Sequence, residues 1–232
     1  MRTVVIIPAF NEEKSIGSVI DHIPTEYRGV VIVVDNGSTD GTGNVARMKG
    51  AHVVREERRG YGSACLAGIE SALKYDPELF IFLDADFSDY PEDMSELVDT
   101  LETNHLDLVI GSRTLDRGAR SALLPQARFG NWLATYLMFL RFRFRFTDLG
   151  PFRAIRAKSL KQIQMRDTNF GWTMEMQVKA LKYGLRVGET PVRYRKRIGT
   201  SKITGTVKGT VMAGFKILWT LARYSFGRDT AK

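Results

Sequence analysis

The stretch Phe80-Ile-Phe-Leu-Asp84-Ala-Asp86 decides how the rest of the chain is read. Four apolar residues predict a short buried strand, and the two acids fall just past its carboxyl end. In an open α/β sheet that edge is where ligands bind. Two Asp side chains placed there repel each other unless a cation lies between them. Their hard oxygens suit Mg²⁺ or Mn²⁺, ions that commonly hold a diphosphate. An isolated Asp-x-Asp also fits a solvated turn, so the surrounding sequence has to decide.

Those surroundings alternate. Strand-like runs at 4–7, 30–34, 52–55, 79–83 and 106–110 are separated by helix-like segments at 12–23, 41–49, 62–75 and 91–102. Pro91 suits a first helical position, with acids in the opening turn. The alternation predicts an α/β fold: a mostly parallel central sheet, right-handed crossovers and flanking helices. Neither a G-x-G-x-x-G nor a P-loop follows the first strand, which runs into Pro8-Ala-Phe-Asn-Glu-Glu13. Beyond Gly111 the character changes. Residues 123–139 predict an amphipathic helix. The strict Arg-Phe alternation of 141–146 predicts a strand with one basic and one aromatic face, set either against lipid or against the body of the domain. Residues 172–183 predict a helix and 185–197 one or two short strands broken by Pro191. Residues 206–224 predict a helix with Val207, Val211, Phe215, Leu218 and Ala222 on one side.

The 232 residues, 44% hydrophobic and 26% charged, are those of a soluble globular chain with a substantial core. Met1-Arg-Thr leads straight into a strand, so no signal peptide is expected. The lone Cys65 excludes an internal disulfide, reads as a small buried hydrophobe, and fits a reducing cytoplasm. The net charge of +8 conceals an asymmetry. Residues 1–112 carry 9 basic and 20 acidic side chains, a balance of −11; residues 113–232 carry 25 and 6, a balance of +19. The basic half points to an anionic partner: phosphate, acidic lipid or nucleic acid. No stretch reaches the roughly 20 apolar residues of a membrane span. The tail comes nearest but contains Lys216. It is expected either to lie in a bilayer interface or to pack on the domain or another subunit.

Four motifs in order, Val5-Ile-Ile-Pro-Ala-Phe-Asn-Glu-Glu13, Val33-Val-Asp-Asn-Gly-Ser-Thr-Asp-Gly-Thr42, Leu83-Asp-Ala-Asp86 and Gly111-Ser-Arg113, resemble glycosyltransferase family 2, whose members have the GT-A fold. Asp148-Leu-Gly-Pro-Phe-Arg153, Phe170-Gly-Trp-Thr-Met-Glu175, and the run from Glu189 to Lys202 ending in Arg-x-Gly-x-Ser-Lys are similar to the polyprenyl-phosphate sugar synthases of that family. The resemblance implies a GT-A domain over 1–205, with a nucleotide-sugar half (1–112) and an acceptor half (113–205), and an amphipathic helix and tail over 206–232. The chain departs from the pattern at Asn36, where many members have a second Asp, and at Ser88, where mannose-transferring members often have a metal-binding Gln. It also lacks the transmembrane hairpins that some members carry.

The activity so implied is inverting, metal-dependent transfer of a hexose, mannose or glucose, from a nucleotide-diphosphate sugar to a polyprenyl (dolichyl or undecaprenyl) phosphate. Its place would be the cytoplasmic face of a membrane, with Mg²⁺ or Mn²⁺ as cofactor. Asp86 is expected to contact the metal directly, and Asp84 to hold the ribose or support the metal. The resemblance assigns Pro8, Phe10, Glu12, Asp35 and Ala85 to the donor, although Phe10 also reads as core and Glu12 as charge at a helix start. Arg59-Gly-Tyr-Gly62 opens a helix whose N–H groups suit an anion, or forms a plain turn. A phosphate monoester, with a second pKa of about 6, attacks without a general base and needs cations to position it. Arg113, Arg128 and Arg197 match the family positions for that work, each also fitting a surface cation. Lys202 is expected to hold the donor diphosphate or the acceptor. A hydroxyl acceptor would instead need a base, for which Glu175 is the candidate. His22, His52 and His105 lie outside every motif. Two other classes compete: a catalytically silent nucleotide-sugar-binding scaffold, and a nucleic-acid-binding protein. No nucleic-acid module is recognised, so no nucleic acid is expected; a homo-oligomer or a membrane partner subunit is compatible.

Overall fold

The computed structural model describes residues 1–116, 118–199 and 218–224. Its elements run β1 (Thr3–Ala9), α1 (Ile16–Asp21), β2 (Val31–Asp35), α2 (Thr42–Met48), β3 (His52–Arg55), α3 (Tyr61–Ala72), β4 (Leu79–Phe82), α4 (Met94–Thr103) and β5 (Leu108–Ser112). Then follow α5 (Ala119–Ala122), α6 (Pro125–Phe142), β6 (Arg153–Arg156), α7 (Ala157–Ile163), α8 (Trp172–Lys182) and β7 (Val187–Pro191). The strands form one sheet in the order β3-β2-β1-β4-β6-β5-β7. All run the same way except β6, which is antiparallel to both β4 and β5. The carboxyl ends of β1, β2, β4, β5 and β7 therefore share one edge.

Alternation along the strands builds two apolar layers, as expected of a sheet covered on both faces. Val4, Ile6, Ile32, Val34, Phe80 and Phe82 face α3, α6 and α8. Val5, Ile7, Val31, Val33, Leu79 and Ile81 face α1, α2 and α4. Each such side chain contributes about 1.5–3 kcal/mol by leaving water. Cys65 is buried and free, its thiol pushed well up by burial.

The first-half strands and helices fall where the pattern placed them, with shorter helices than the periodicity implied. Pro91 opens a 3₁₀ turn, Pro91–Asp93, ahead of α4. The strand expected at 141–146 does not form. α6 continues through Phe142, and Arg143, at φ 60°, caps it by donating its N–H to the Phe139 carbonyl at 2.8 Å. Phe144 then packs edge-on to the buried Phe146 at 4.8 Å. Six residues of period two were too few to overrule a helix already in progress. Strands β6 and helix α7 were not foreseen. β6 is a short strand, and its partners Phe80 and Val109 lie far back in the sequence.

Residues 200–217, with Lys202, Val207, Val211, Phe215 and Lys216, lie outside the described residues. Residues 218–224 are helical, but the covered side is Thr220, Leu221 and Tyr224, whereas Leu218 and Ala222 are exposed. Lys182 Nζ donates to the Tyr224 carbonyl at 3.3 Å and Lys179 Nζ sits 4.7 Å from the Tyr224 ring, so this segment packs on α8. No helix among the described residues is long and apolar enough to cross a membrane.

Glu175 belongs to the frame. It is fully buried on α8 and pairs with the buried Lys179 at 2.7 Å, one turn on. Its carboxylate also accepts the N–H of Arg166 at 2.9 Å and that of Asp167 at 2.6 Å, while Lys179 donates to the Gln164 carbonyl at 2.7 Å. The pair clamps the 164–168 loop to α8. With its oxygens so engaged, Glu175 has the geometry of a structural clamp and not of a general base. Glu175→Ala leaves a buried ammonium without its countercharge and two amides unpaired, and is expected to cost about 3–5 kcal/mol. Urea unfolding checks this; an unshifted midpoint would contradict the clamp.

Candidate functional site

β1, β2 and β4 end side by side, and the segments beyond them line a cavity of about 490 Å³. Pro8, Ala9, Phe10 and Glu12 come from the end of β1, Asn36 from the end of β2, and Asp84, Ala85 and Asp86 from the end of β4. Arg59, Gly60, Tyr61 and Ala64 come from the start of α3, Asn169 and Phe170 from the loop before α8, and Arg197 from the segment after β7. Pro8, Phe10, Glu12, Asp84, Ala85, Asp86 and Arg197, chosen from sequence as far as 189 residues apart, thus meet in one place.

The turn after β4 is tightly built. Asp86 Oδ1 accepts from Ser88 N–H at 2.9 Å and Ser88 Oγ at 2.5 Å, so the residue that departs from the family pattern folds back onto the motif's own carboxylate. Phe87 between them adopts φ 61°, costly for an aromatic residue. Stacked on its ring at 3.5 Å is the Arg195 guanidinium, whose Nε donates to the Phe87 carbonyl at 2.7 Å. Arg195 N–H to Ser88 O (2.9 Å), Ile198 N–H to Asp86 O (3.0 Å) and Arg193 to Asp93 continue the seam. The segment 193–198 is thereby strapped across the Asp-x-Asp turn. It delivers Arg197, which bridges Glu12 Oε1 at 2.7 Å and Asp86 Oδ2 at 3.1 Å.

Asp84 Oδ1 is shut off from solvent with no hydrogen-bond partner. Burial, and then the Asp86 charge, push its carboxyl up to about 7. Asp89 is buried with neither oxygen bonded, and burial followed by the Asp84 charge raises it well above the carboxylate range. Arg113 supplies countercharge. Burial opposes its charge, but Asp148 outweighs burial with a fork of 2.8 and 2.8 Å plus the Arg113 N–H at 2.9 Å, raising it above the ordinary arginine value. Asp148 is in turn set by Glu189, which accepts the N–H groups of Thr147 (2.8 Å) and Asp148 (3.1 Å).

Two oxygen donors with an orphaned Oδ1 fit a hard divalent cation. Among the described residues no group of three His, Cys, Asp or Glu side chains is arranged to hold an ion, so phosphate and water oxygens would complete the shell.

Other expectations are placed differently. Asp35 is buried beside the cavity: its Oδ1 takes the Ser38 N–H at 2.7 Å and its Oδ2 pairs with Arg55 at 2.9 Å. Burial is outweighed by these bonds, and the carboxyl is held below its usual range. The start of α3 packs on the 167–168 backbone, with Ser63 N–H donating to the Thr168 carbonyl at 3.0 Å and Gly60 N–H to Asn36 Oδ1 at 2.8 Å. A Cβ at Gly62 would stand 2.0 Å from the Asp167 carbonyl oxygen, which explains the glycine. Phe170, expected on the acceptor side, lines the same cavity as Asp86. Asn36, Arg59, Tyr61 and Asn169 were not singled out from sequence as side chains of the site; only the backbone of the Arg59–Gly62 turn was.

Arg128 lines a second cavity of about 740 Å³, with Thr114, Leu123, Phe129, Trp132, Tyr136, Arg145 and Thr147 among its walls. α6 buries only a narrow stripe, Ala134, Thr135 and Met138. Its other side carries a ladder of Phe129, Trp132 and Tyr136, rings 5.9 and 5.7 Å apart, exposed by 63%, 55% and 45%. Such a contiguous apolar face marks an interaction surface. Thr114 lines this cavity, and the charge of its chain neighbour Arg113 lowers the Asp84 carboxyl of the first cavity.

A family model described as "Glycosyl transferase family 2" matches residues 4–164. A Mycobacterium tuberculosis protein described as an uncharacterized glycosyltransferase is 37% identical over 210 residues, covering 90% of this chain and 93% of its own. The undecaprenyl-phosphate mannosyltransferase of Micrococcus luteus is 30% identical over 224 residues, 90% of each chain. Among solved structures, the Mycobacterium tuberculosis glucosyl-3-phosphoglycerate synthase with Mn²⁺, UDP and phosphoglyceric acid superposes with a TM-score of 0.76 over 99% of this chain and 80% of that one, at 21% identity. That likeness places the chain in the same GT-A architecture.

Asp84 makes the site's strain measurable. The native state keeps a proton on it up to about pH 7 that the unfolded chain releases near pH 4. Its contribution to stability is greatest at the acid end and is lost as pH rises through about 7. Asp84→Asn removes that titration. Thermal melts in chelator are expected to show the variant's advantage over the parent growing from pH 5 to pH 8; a pH-independent difference would refute the buried, crowded carboxyl.

Proposed function

The chain belongs to glycosyl transferase family 2, and from that premise we propose that it moves a hexose, mannose or glucose, from a nucleotide-diphosphate sugar to a polyprenyl phosphate, dolichyl or undecaprenyl. The observation that carries this reading is the presence of two unlike cavities: one ringed by Asp84, Asp86, Glu12 and Arg197, the other walled by aromatic rings and holding Arg128 and Arg145. The first suits a donor diphosphate, the second an isoprenoid chain ending in phosphate.

Mg²⁺ or Mn²⁺, held by Asp86 with Asp84 in support, would neutralise the departing diphosphate. Glu12 and Arg197 fix Asp86 from the other side, and Arg197 is within reach of an anion seated between them. Arg113, kept charged by Asp148, and Arg128 position the acceptor phosphate. One phosphate oxygen bonds to the anomeric carbon as the bond from that carbon to the donor diphosphate breaks, and a nucleoside diphosphate leaves. The acceptor is already an anion near pH 7, so no side chain has to remove a proton. Attack opposite the leaving group inverts the anomeric centre. The alternative with a hydroxyl acceptor loses its candidate base, because Glu175 is engaged as a clamp.

The α6 ladder, with the exposed Arg128, Arg141, Arg143 and Arg145 about it, supports peripheral contact with an anionic membrane face, rings toward acyl chains and guanidinium groups on headgroups. This would put the acceptor cavity at the surface where a polyprenyl phosphate resides.

Asp86→Ala is expected to abolish transfer while circular dichroism stays unchanged; full activity would remove Asp86 from the reaction. Arg128→Ala is expected to raise the KM for the lipid phosphate roughly tenfold or more, the scale of one charge-assisted contact, with little change in donor KM. A rise confined to the donor would move Arg128 to the other substrate.

A further inference from the structure

The end of the donor cavity away from Asp86 contains a built device. The Arg59 guanidinium carbon stands over the Phe10 ring, 3.9 Å from its centroid. The same guanidinium lies against Gly37, at φ 76°, where a Cβ would come within 3.1 Å of Nε, 3.2 Å of Cζ and 3.4 Å of Nη2 and press it aside. The planar guanidinium carries its N–H groups as a fork in its own plane. Among the described residues Arg59 has no hydrogen bond or ion pair, so that fork is available at the cavity wall.

Asn36 explains why the fork matters. Its Nδ2 donates to the carbonyls of Glu56 at 3.0 Å and Arg58 at 2.8 Å, and its Oδ1 accepts the Gly60 N–H at 2.8 Å. The reverse orientation would set an oxygen against two carbonyls and an amino group against an N–H, so the amide is fixed as placed. A carboxylate could not make the two donations. Asn36 thus faces inward and holds the 56–60 loop that presents Arg59. Pro8, Ala9, Phe10, Ala64 and Asn169 line the same cavity.

From this we infer that Arg59 reads the base of the donor, and that the donor is a guanine nucleotide. This rests on the donor-cavity reading above. A planar pair of donors meets N7 and O6 of guanine together. Adenine places an amino group beside N7, and uracil flanks its N3–H with single acceptors, so neither offers that edge. Phe10 serves here as the platform for the arginine.

The test is calorimetric binding of free nucleotides to the full chain with Mg²⁺. GDP, IDP, 7-deaza-GDP, UDP and ADP would be compared on the parent, Arg59→Ala and Arg59→Lys. IDP keeps O6 and N7, and 7-deaza-GDP lacks N7. GDP and IDP are expected to bind at least roughly tenfold tighter than UDP or ADP, with 7-deaza-GDP weakened by a similar factor. Both variants should erase these differences and leave UDP and ADP within about twofold of the parent; Lys retains the charge but not the fork. Equal or tighter UDP binding overturns the inference. So does a uniform loss across all five nucleotides in Arg59→Ala, which would put Arg59 on the diphosphate. Binding of none of the five would remove the donor cavity itself and this inference with it.

Discussion

Three carboxylates crowd the turn after β4, and most of the molecule's second half is arranged to make that tolerable. Asp84, Asp86 and Asp89 fall within six residues at the sheet's carboxyl edge, with Glu12 alongside. Unscreened, they would repel one another in a cavity of low dielectric. Arg113 and Arg197 bring the opposing charge, one fixed by Asp148 and the other spanning Glu12 and Asp86. A site poised this way suits a cation and, through the same arginines, phosphates.

The supports for these arginines are themselves chained. Glu189, on β7, is pushed up to about 7 by burial, although the amides of Thr147 and Asp148 pull it down. It fixes the 147–148 backbone, hence the fork on Arg113. Glu175 and Lys179 fix the 164–168 loop, whose Thr168 carbonyl caps the start of α3 and thereby sets the loop that carries Arg59. Rigid α/β packing lies under the cavities, and buried ion pairs orient the segments that line them.

The α/β class, the parallel strands and the cluster at their carboxyl ends were legible because each rests on local pattern: apolar runs, helix starts and acids just past a strand. The cavity walls contributed by the ends of β1 and β4 were legible for the same reason. What stayed hidden depends on long-range contact. Nothing near β6 announces an antiparallel strand between β4 and β5. The conversion of Glu175 from base to clamp needs the amides of Arg166 and Asp167. Arg59 became visible only when Phe10 and Gly37 met beside it. The charge asymmetry was read as a sign of an anionic partner, and part of it turns out to be internal. Arg193 pairs with Asp93, Arg156 with Glu102, Arg186 with Asp107 and Arg197 with Glu12, each a basic-half residue neutralising an acidic-half one. The exposed arginines around α6 are the remainder that faces outward.

The proposed reaction needs both cavities at once. The most direct test follows nucleoside diphosphate release from a panel of nucleotide sugars, with Mg²⁺ or Mn²⁺, in the presence and absence of a short polyprenyl phosphate. Release from one donor that depends on the lipid phosphate and yields a glycosylated lipid is expected. Donor binding with release that ignores the lipid, or transfer only to a hydroxyl compound, would contradict it.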